Sequence, residues 1–478
     1  MTPEQMGSSQ NALDLADIDA RIRQLEAQYD LLQYKVDGWC VWPLLRFGVI
    51  LALQHPTLDN RQAGRDYGRW IAAAVRDVFH LPGLRKARYL VKTYSSARSE
   101  QVDGLYKDVY FDDLLLDIGD YVKIESLNSR VFGATGRNAL VPSDLTNTAL
   151  RGMAALLARL SGPRYISDIA RELATRLNRA LGQETLPLPT ILSLIRRFYW
   201  SKKLHTWLLK RIQPEYLLVA DFGEYNLVAA AKELGIRVIE LQHGVVYRYH
   251  PAYSWTPYAL PYKSAMPIPD RIFLYGEYWK EELAATGFWN DEELVPVGSL
   301  RMDSYRNRAA GKDDAGCVIV VTTQGTDTAK LIAWMSDFLA LVEGRLAFQL
   351  YFKLHPGYDL SKEPYENAFR ANPHVQVLLG SEPPSTFELL ARAHLHVSIA
   401  STCHYEALAL GVPTVILPFS GHEIVLHLHQ AGHAFLTPTP QDLLQVVLRW
   451  REHTVPPQVG ERYFRAGALD NMRRELER

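Results

Sequence analysis

Two strand ends carry polar residues suited to chemistry. The apolar run Tyr216–Ala220 stops at Asp221, with Glu224 three residues on, and the β-branched run Arg237–Leu241 stops at Gln242-His243-Gly244. Between them Leu227–Leu234 has an alanine-rich helical pattern, and Gly235 sits where a helix C-cap glycine belongs. In open parallel sheets the carboxyl ends of the strands are where ligands bind. Asp221, Glu224, Gln242 and His243 are therefore expected to line an active site. Glu125, at the end of the short run Tyr121–Ser126, is a further carboxylate placed for acid/base work, although such groups also serve as caps.

A second set of residues suits an anion. Ser401-Thr402 stands between a strand pattern and a helix start, where free backbone N–H groups favour negative charge. His355 ends another strand pattern, Pro356 stiffens its turn, and Gly357 lets a backbone pass close to a ligand. Gln324-Gly325 ends a third. Together these would hold a phosphate, with Glu406 or Glu423 accepting hydrogen bonds from ribose hydroxyls.

The elements that must position these groups follow a β/α rhythm. In the second half, strands at Val318–Val321, Phe348–Leu354, Val375–Leu379, Leu395–Ile399 and Thr414–Leu417 alternate with helices at Thr328–Val342, Ser385–Ala393 and Tyr405–Leu410. That alternation predicts a parallel sheet covered on both faces, without the GxGxxG fingerprint of a dinucleotide site. In the first half, Ile18–Leu32 reads as a surface helix after a loose tail, and Arg61–Arg98 as helical and increasingly basic. Val109–Asp113 reads as a strand ending in acids, and Ala149–Leu181 as one or two helices. Trp39 and Trp42, near Arg46, suit either a sugar floor or the core. Thr190–Arg211 is a basic, aromatic helix suited to an anionic membrane surface or to a solvated face with its rings turned inward. The segment from Tyr247 to Tyr262 is rich in Tyr and Pro and is expected to be a loop over the site. Ala309–Gly316 marks a linker. The expected division is 1–310, 311–460 and a terminal helix over 461–478.

Bulk properties narrow the classes. At 478 residues the chain exceeds one ordinary core. Hydrophobic residues make up 47%, which excludes a mostly disordered protein, and a net charge of −1 supplies no global field for nucleic acid. The three cysteines, Cys40, Cys317 and Cys403, are too dispersed for a disulfide framework or a metal-ligand spacing, which suits a reducing cytoplasm. No basic-then-apolar leader is read at the N-terminus, and no apolar run reaches bilayer length.

Gln242-His243-Gly244, then Lys353-Leu-His-Pro356, then Ser401-Thr402 with Glu406-Ala-Leu-Ala-Leu-Gly-Val-Pro413 resemble motifs of the GT-B glycosyltransferases of bacterial surface polysaccharides. They are similar to those of bacterial sialyltransferases, capsule Kdo transferases and CDP-glycerol glycerophosphotransferases. Asp221 and Glu224 followed by Gln-His-Gly resemble the retaining β-Kdo transferases most. The likeness covers roughly residues 215–425. It implies an α/β GT-B fold, two Rossmann-like domains facing a cleft, with extra N-terminal helices. It implies a CMP-sugar donor, with His355, Ser401 and Thr402 on the CMP phosphate and Asp221 as the nucleophile at the anomeric carbon.

The implied reaction is a double displacement from CMP-Kdo to an oligosaccharide or lipid-linked glycan acceptor, with Glu224, Glu125 or His243 as base, and with the Ser401/Thr402 helix end and, if it is protonated, His355 stabilising the leaving group. Arg46, Arg248 or Lys263 would pair with the sugar carboxylate. No metal is expected, Asp112-Asp113 being the nearest approach to a metal clamp. The alternatives are a CDP-glycerol or CDP-ribitol phosphotransferase, a UDP-sugar epimerase of the same fold, and an inactive scaffold. The expected location is cytoplasmic, with possible attachment to an anionic membrane surface.

Overall fold

The structure, a computed structural model, describes residues 15–54, 67–127, 138–181, 186–221, 223–306, 316–325, 327–356, 358–359 and 361–478. Gly357, residues 309–315 of the expected linker, 61–66 of the basic stretch and 1–14 of the tail lie outside them. Two units form: Met1–Leu274 with Trp279–Val295, and Tyr275–Tyr278 with Pro296–Arg478.

The first unit is built on strands β1 (Tyr89–Tyr94), β2 (Tyr121–Ser126), β3 (Tyr216–Val219), β4 (Arg237–Leu241), β5 (Arg271–Leu274) and β6 (Leu294–Pro296). Their order is β6-β5-β4-β3-β1-β2, and the pairs from β2 through β5 are parallel. The central strand β3 is buried along its whole length, as an apolar run in a two-sided sheet must be. The helix Tyr225–Glu233 covers it with Leu227, Val228 and three alanines. That helix stops in a Schellman turn: Ile236 N–H donates to Ala231 O at 3.0 Å, Gly235 N–H to Lys232 O at 3.1 Å, and Gly235 takes φ +71°. Helices Leu15–Tyr29, Trp42–Gln54 and Tyr67–His80 precede the sheet.

The second unit repeats the plan with β7 (Cys317–Thr322), β8 (Phe348–Lys353), β9 (Val375–Leu378), β10 (Leu395–Ser398), β11 (Thr414–Ile416) and β12 (Ala434–Leu436). Their order is β9-β8-β7-β10-β11-β12, parallel at every pairing. Each unit is thus a Rossmann-like doubly wound sheet, the α/β composition expected of a GT-B chain. The end of the chain is woven into this unit. Tyr463, Ala468 and Leu476 are buried, and a β-carbon at Gly460 would lie 2.8 Å from Leu408 O.

Two sequence expectations change, and a third is settled between its alternatives. Residues 89–94, read as the tail of a basic helix, are the strand β1, because Tyr-Leu-Val-Lys-Thr-Tyr alternates onto both covered faces of the sheet. Val109–Asp113 is no strand; Asp112 opens the helix Asp112–Ile118. Residues 149–181 split into helices Thr148–Leu160 and Arg164–Leu181.

The first sheet buries a charge cluster beside β1 and β2. Lys123 Nζ meets Asp112 Oδ1 at 2.5 Å and Asp108 Oδ2 at 3.2 Å, and Arg98 meets Glu125 Oε2 at 2.7 Å. All five side chains are essentially inaccessible. Removing one partner of such a pair leaves a buried charge uncompensated, at a cost of about 3–5 kcal/mol. Arg98→Met is therefore expected to destabilise the first unit by about that amount in urea titration, and adding Glu125→Gln should recover much of the loss. Equal stability of Arg98→Met and the wild type would contradict this assignment.

Candidate active site

At the carboxyl edge of the first sheet, β3 delivers Asp221 and β4 delivers Gln242 and His243. Asp221 is half-buried, and its Oδ1 accepts from Gly223 N–H at 2.7 Å. A β-carbon at Gly223 would sit 3.2 Å from that oxygen, so a larger residue there would press on the carboxylate. Gln242 is buried; its Nε2 donates to Gly244 O at 2.8 Å, which shapes the turn that presents His243. The Tyr110 hydroxyl donates to His243 O at 3.1 Å. Burial lowers the His243 pKa, while the nearby Asp221 carboxylate opposes this, so the imidazole is neutral near pH 7 and able to accept a proton.

The other two base candidates are engaged. Glu224 lies 2.9 Å from the buried Lys92 Nζ and accepts from the Tyr94 hydroxyl at 2.8 Å. Burial alone would raise its pKa, but Lys92 and Tyr94 together bring it down to about 2. A carboxylate so acidic is a poor proton acceptor at neutral pH. Glu125 is locked to Arg98. Both read as supports: Glu224 fixes Lys92 and Tyr94, and the Tyr94 hydroxyl also reaches Asp221. Burial and those two carboxylates hold Tyr94 protonated, so it donates a hydrogen bond into the site.

A residue not singled out in the sequence joins this group. Glu240, on β4, is buried, and together with Asp221, Tyr225, Tyr253 and Trp289 it lines a cavity with room for about one water molecule. Its Oε1 accepts from the Tyr253 hydroxyl, while Oε2 is buried without a partner among the described residues. Burial, reinforced by Asp221, pushes its pKa up to about 8 against the pull of the Tyr253 hydrogen bond. The signal was present in the sequence: a lone acid inside the apolar run Val-Ile-Glu-Leu of a two-sided strand has nowhere to go but inward.

In the second unit, three strand ends approach one another. Thr323 Oγ1, after β7, donates to Asp359 and accepts from His355 N–H at 3.2 Å. The His355 ring stacks on Tyr358 at 4.5 Å, and a β-carbon at Gly325 would lie 2.6 Å from Tyr358 Cβ. Pro356 packs against Gly380, whose β-carbon would come within 2.7 Å of Pro356 N. The buried Lys353 Nζ donates to Leu379 O and Pro384 O, both at 2.9 Å, and to Glu382 O, which holds the neighbouring turn. Burial raises the pKa of the Cys403 thiol, and the neighbouring Glu406 carboxylate adds to the shift. Gln324 is half-buried at the same edge.

Several groups at this edge also have partners within the unit. Burial lowers the His355 pKa more than Asp359 raises it, so His355 offers a neutral N–H rather than a cation. The Ser401 hydroxyl accepts from Cys403 N–H at 3.2 Å, and Thr402 makes no side-chain cap to the seven-residue helix Cys403–Ala409. That short helix thus already has one of its free N–H groups satisfied by Ser401. Glu406 is drawn toward Arg301 and Cys403, and burial raises its pKa.

The proposed cationic clamp is also spoken for. Arg46 is buried against Glu26 at 2.6 Å and Ser254 Oγ at 3.0 Å, Arg248 pairs with Glu282 at 2.6 Å, and Lys263 with Glu293 at 2.5 Å. Asp112 and Asp113 face Lys123 and Lys107. Trp39 and Trp42 are core, and of the Tyr/Pro-rich loop Tyr253 and Trp255 are buried inside it.

No family model matches the sequence, and no curated protein matches it. Solved structures similar to this chain include UDP-GlcNAc 2-epimerase from Neisseria meningitidis bound to UDP-GlcNAc, at 13% identity over 81% of this chain and 99% of that one, with a TM-score of 0.46. They also include MurG of Acinetobacter baumannii, at 11% identity over 82% and 99% with a TM-score of 0.43. A third is the glycotransferase of kitacinnamycin, at 15% over 82% and 95% with a TM-score of 0.40.

Glu240 gives a pH test. Its folded pKa of about 8 exceeds its ordinary 4.5, so its contribution to stability is full below about pH 4.5 and is lost as pH rises through about 8. Between those values wild-type stability should fall relative to Glu240→Gln, with a slope of up to about 1.4 kcal/mol per pH unit. Parallel melting-temperature profiles for the two proteins from pH 5 to 9 would show that Glu240 is not held protonated.

Proposed function

We propose that this chain is a glycosyltransferase that moves Kdo, or a related 2-keto-3-deoxy sugar acid, from its CMP donor to a polysaccharide or lipid-linked acceptor, with retention at the anomeric carbon. The observation that carries the reading is the sorting of the carboxylates around β3 and β4. Glu224 is tied to Lys92 and Glu240 is held protonated, which leaves Asp221 as the carboxylate presented beside a neutral imidazole. A nucleophile next to a base is the arrangement a double displacement requires.

In the first step an Asp221 oxygen bonds to the anomeric carbon, and the bond to the CMP phosphate oxygen breaks with its electron pair. Tyr94 and the Gly223 N–H orient the attacking carboxylate. His355 N–H and the hydroxyls of Ser401 and Thr402 receive the developing phosphate charge. In the second step the acceptor hydroxyl attacks the same carbon, its proton passes to His243, and the ester bond to Asp221 breaks to restore the carboxylate. CMP departs as a monophosphate and needs a divalent cation less than a diphosphate does, so activity should survive excess EDTA; its disappearance would refute metal independence.

A second reading, epimerisation of a UDP-sugar, is favoured by the pairing of protonated Glu240 with Asp221. One carboxylate could remove a proton from the sugar while the other returns one. Intact-mass spectrometry separates the readings. Wild type incubated with CMP-Kdo and no acceptor should gain one Kdo, and Asp221→Ala should not. CMP release on adding acceptor, with no adduct, keeps the transferase and removes Asp221 as nucleophile. Turnover of UDP-GlcNAc alone, with neither adduct nor CMP release, would establish the epimerase. Release of CMP from CDP-glycerol alone among the donors would establish the phosphotransferase.

A further inference from the structure

The basic, aromatic helix within 190–211 buries one side and leaves Leu194 and Trp207 exposed on the other. Its Phe198, Lys202 and His205 are buried, and Lys202 Nζ meets Asp37 at 2.7 Å and also pairs with Glu233. A different pair of helices in the same unit shows the unpartnered apolar face. On helix Tyr67–His80, Ile71, Val75, Val78 and Phe79 fall at i, i+4, i+7 and i+8, hence on one side, and all are exposed. On helix Thr148–Leu160, which packs beside it, Met153, Leu156 and Leu160 do the same. Phe79 is 76% exposed, Leu160 73% and Ile71 64%. Single exposed apolar residues are ordinary on soluble proteins, but seven on two adjoining helices mark an interaction surface.

The charges bordering this face select its occupant. The two helices carry Arg69, Arg76, Arg151 and Arg159, and Asp77 is their one acid. Asp77 is buried: its carboxylate accepts from Thr146 N–H at 2.6 Å, Thr148 N–H at 2.7 Å and Ala149 N–H at 3.1 Å, which caps the second helix. The face is therefore apolar with a basic border and shows no acid of its own. Two copies placed face to face would bring arginine against arginine. Arg76 donates to Ser143 O at 2.9 Å and Arg151 lies over the Trp70 ring, and an anionic bilayer complements the net positive charge of the pair of helices with phosphates while giving Phe79, Leu160 and Ile71 an acyl boundary.

We propose that helices Tyr67–His80 and Thr148–Leu160 form a docking surface for an anionic lipid bilayer, lying in the plane of its interface. The inference is independent of the sugar-transfer reading. Full-length protein should co-sediment with vesicles of equimolar phosphatidylglycerol and phosphatidylcholine, with much weaker binding to phosphatidylcholine alone. Phe79→Ser with Leu160→Ser should weaken that binding by at least roughly tenfold, the effect of losing one large side chain from an apolar phase. Arg151→Glu with Arg159→Glu should weaken it and reduce its sensitivity to salt. All these positions are exposed, and unchanged melting temperatures will confirm that the variants fold. Absence of wild-type binding to the anionic vesicles, or binding that both double variants leave intact, would overturn the proposal. So would a dimer in light scattering that Phe79→Ser dissociates, because a second copy would then cover the face.

Discussion

The first unit depends on the contact between Lys92 and Glu224. Lys92 is inaccessible to solvent within β1, and a lone ammonium there would be prohibitive. Glu224 compensates it, and that fixes the turn between β3 and its helix, the turn that carries Asp221 and Gly223. Tyr94 stacks its ring 4.1 Å from the same ammonium and directs its hydroxyl to the same glutamate. One ion pair thus sets the backbone geometry, the orientation of the candidate nucleophile and the protonation of a neighbouring phenol. Such a pair is weak evidence for net stability, and removing either partner would leave the other charge buried and uncompensated.

The second unit handles buried polarity differently. Thr322, His396, Thr414 and His404 form a chain of hydrogen bonds of 2.9, 2.8 and 2.6 Å through its core, and burial keeps both imidazoles neutral. Lys353 is satisfied by three backbone carbonyls rather than by an acid. Its strand ends are shaped by hydrogen bonding and close packing, and the first unit's by charge.

What was legible in the sequence follows from local pattern. Continuous apolar runs marked β3, β4 and most of the second sheet, because strands covered on both faces have no polar phase to hide them. The glycine at 235 marked a helix end, and it adopts positive φ there. β1 was obscured because Arg85–Arg88 continues the basic character of the preceding helix into the strand. The roles of Glu125, Glu224 and Arg46 were not legible. Each depends on a partner distant in sequence (Arg98, Lys92 and Glu26), and no spacing rule encodes which distant charges meet. Glu240 was legible in principle, since an acid in an apolar strand breaks the pattern, but only its shared cavity with Asp221 shows why.

The weaving of residues 460–476 into the second unit has a consequence for biosynthesis. A ribosome delivers the first sheet complete by β6, near residue 296, so that unit can close while the rest is still being made. The second unit cannot do likewise. Its core stays open on the side that Tyr463, Ala468 and Leu476 will fill until those last residues have left the exit tunnel. The two sheets, alike in plan, must therefore mature on different schedules, and the second exposes unfinished apolar surface for longer.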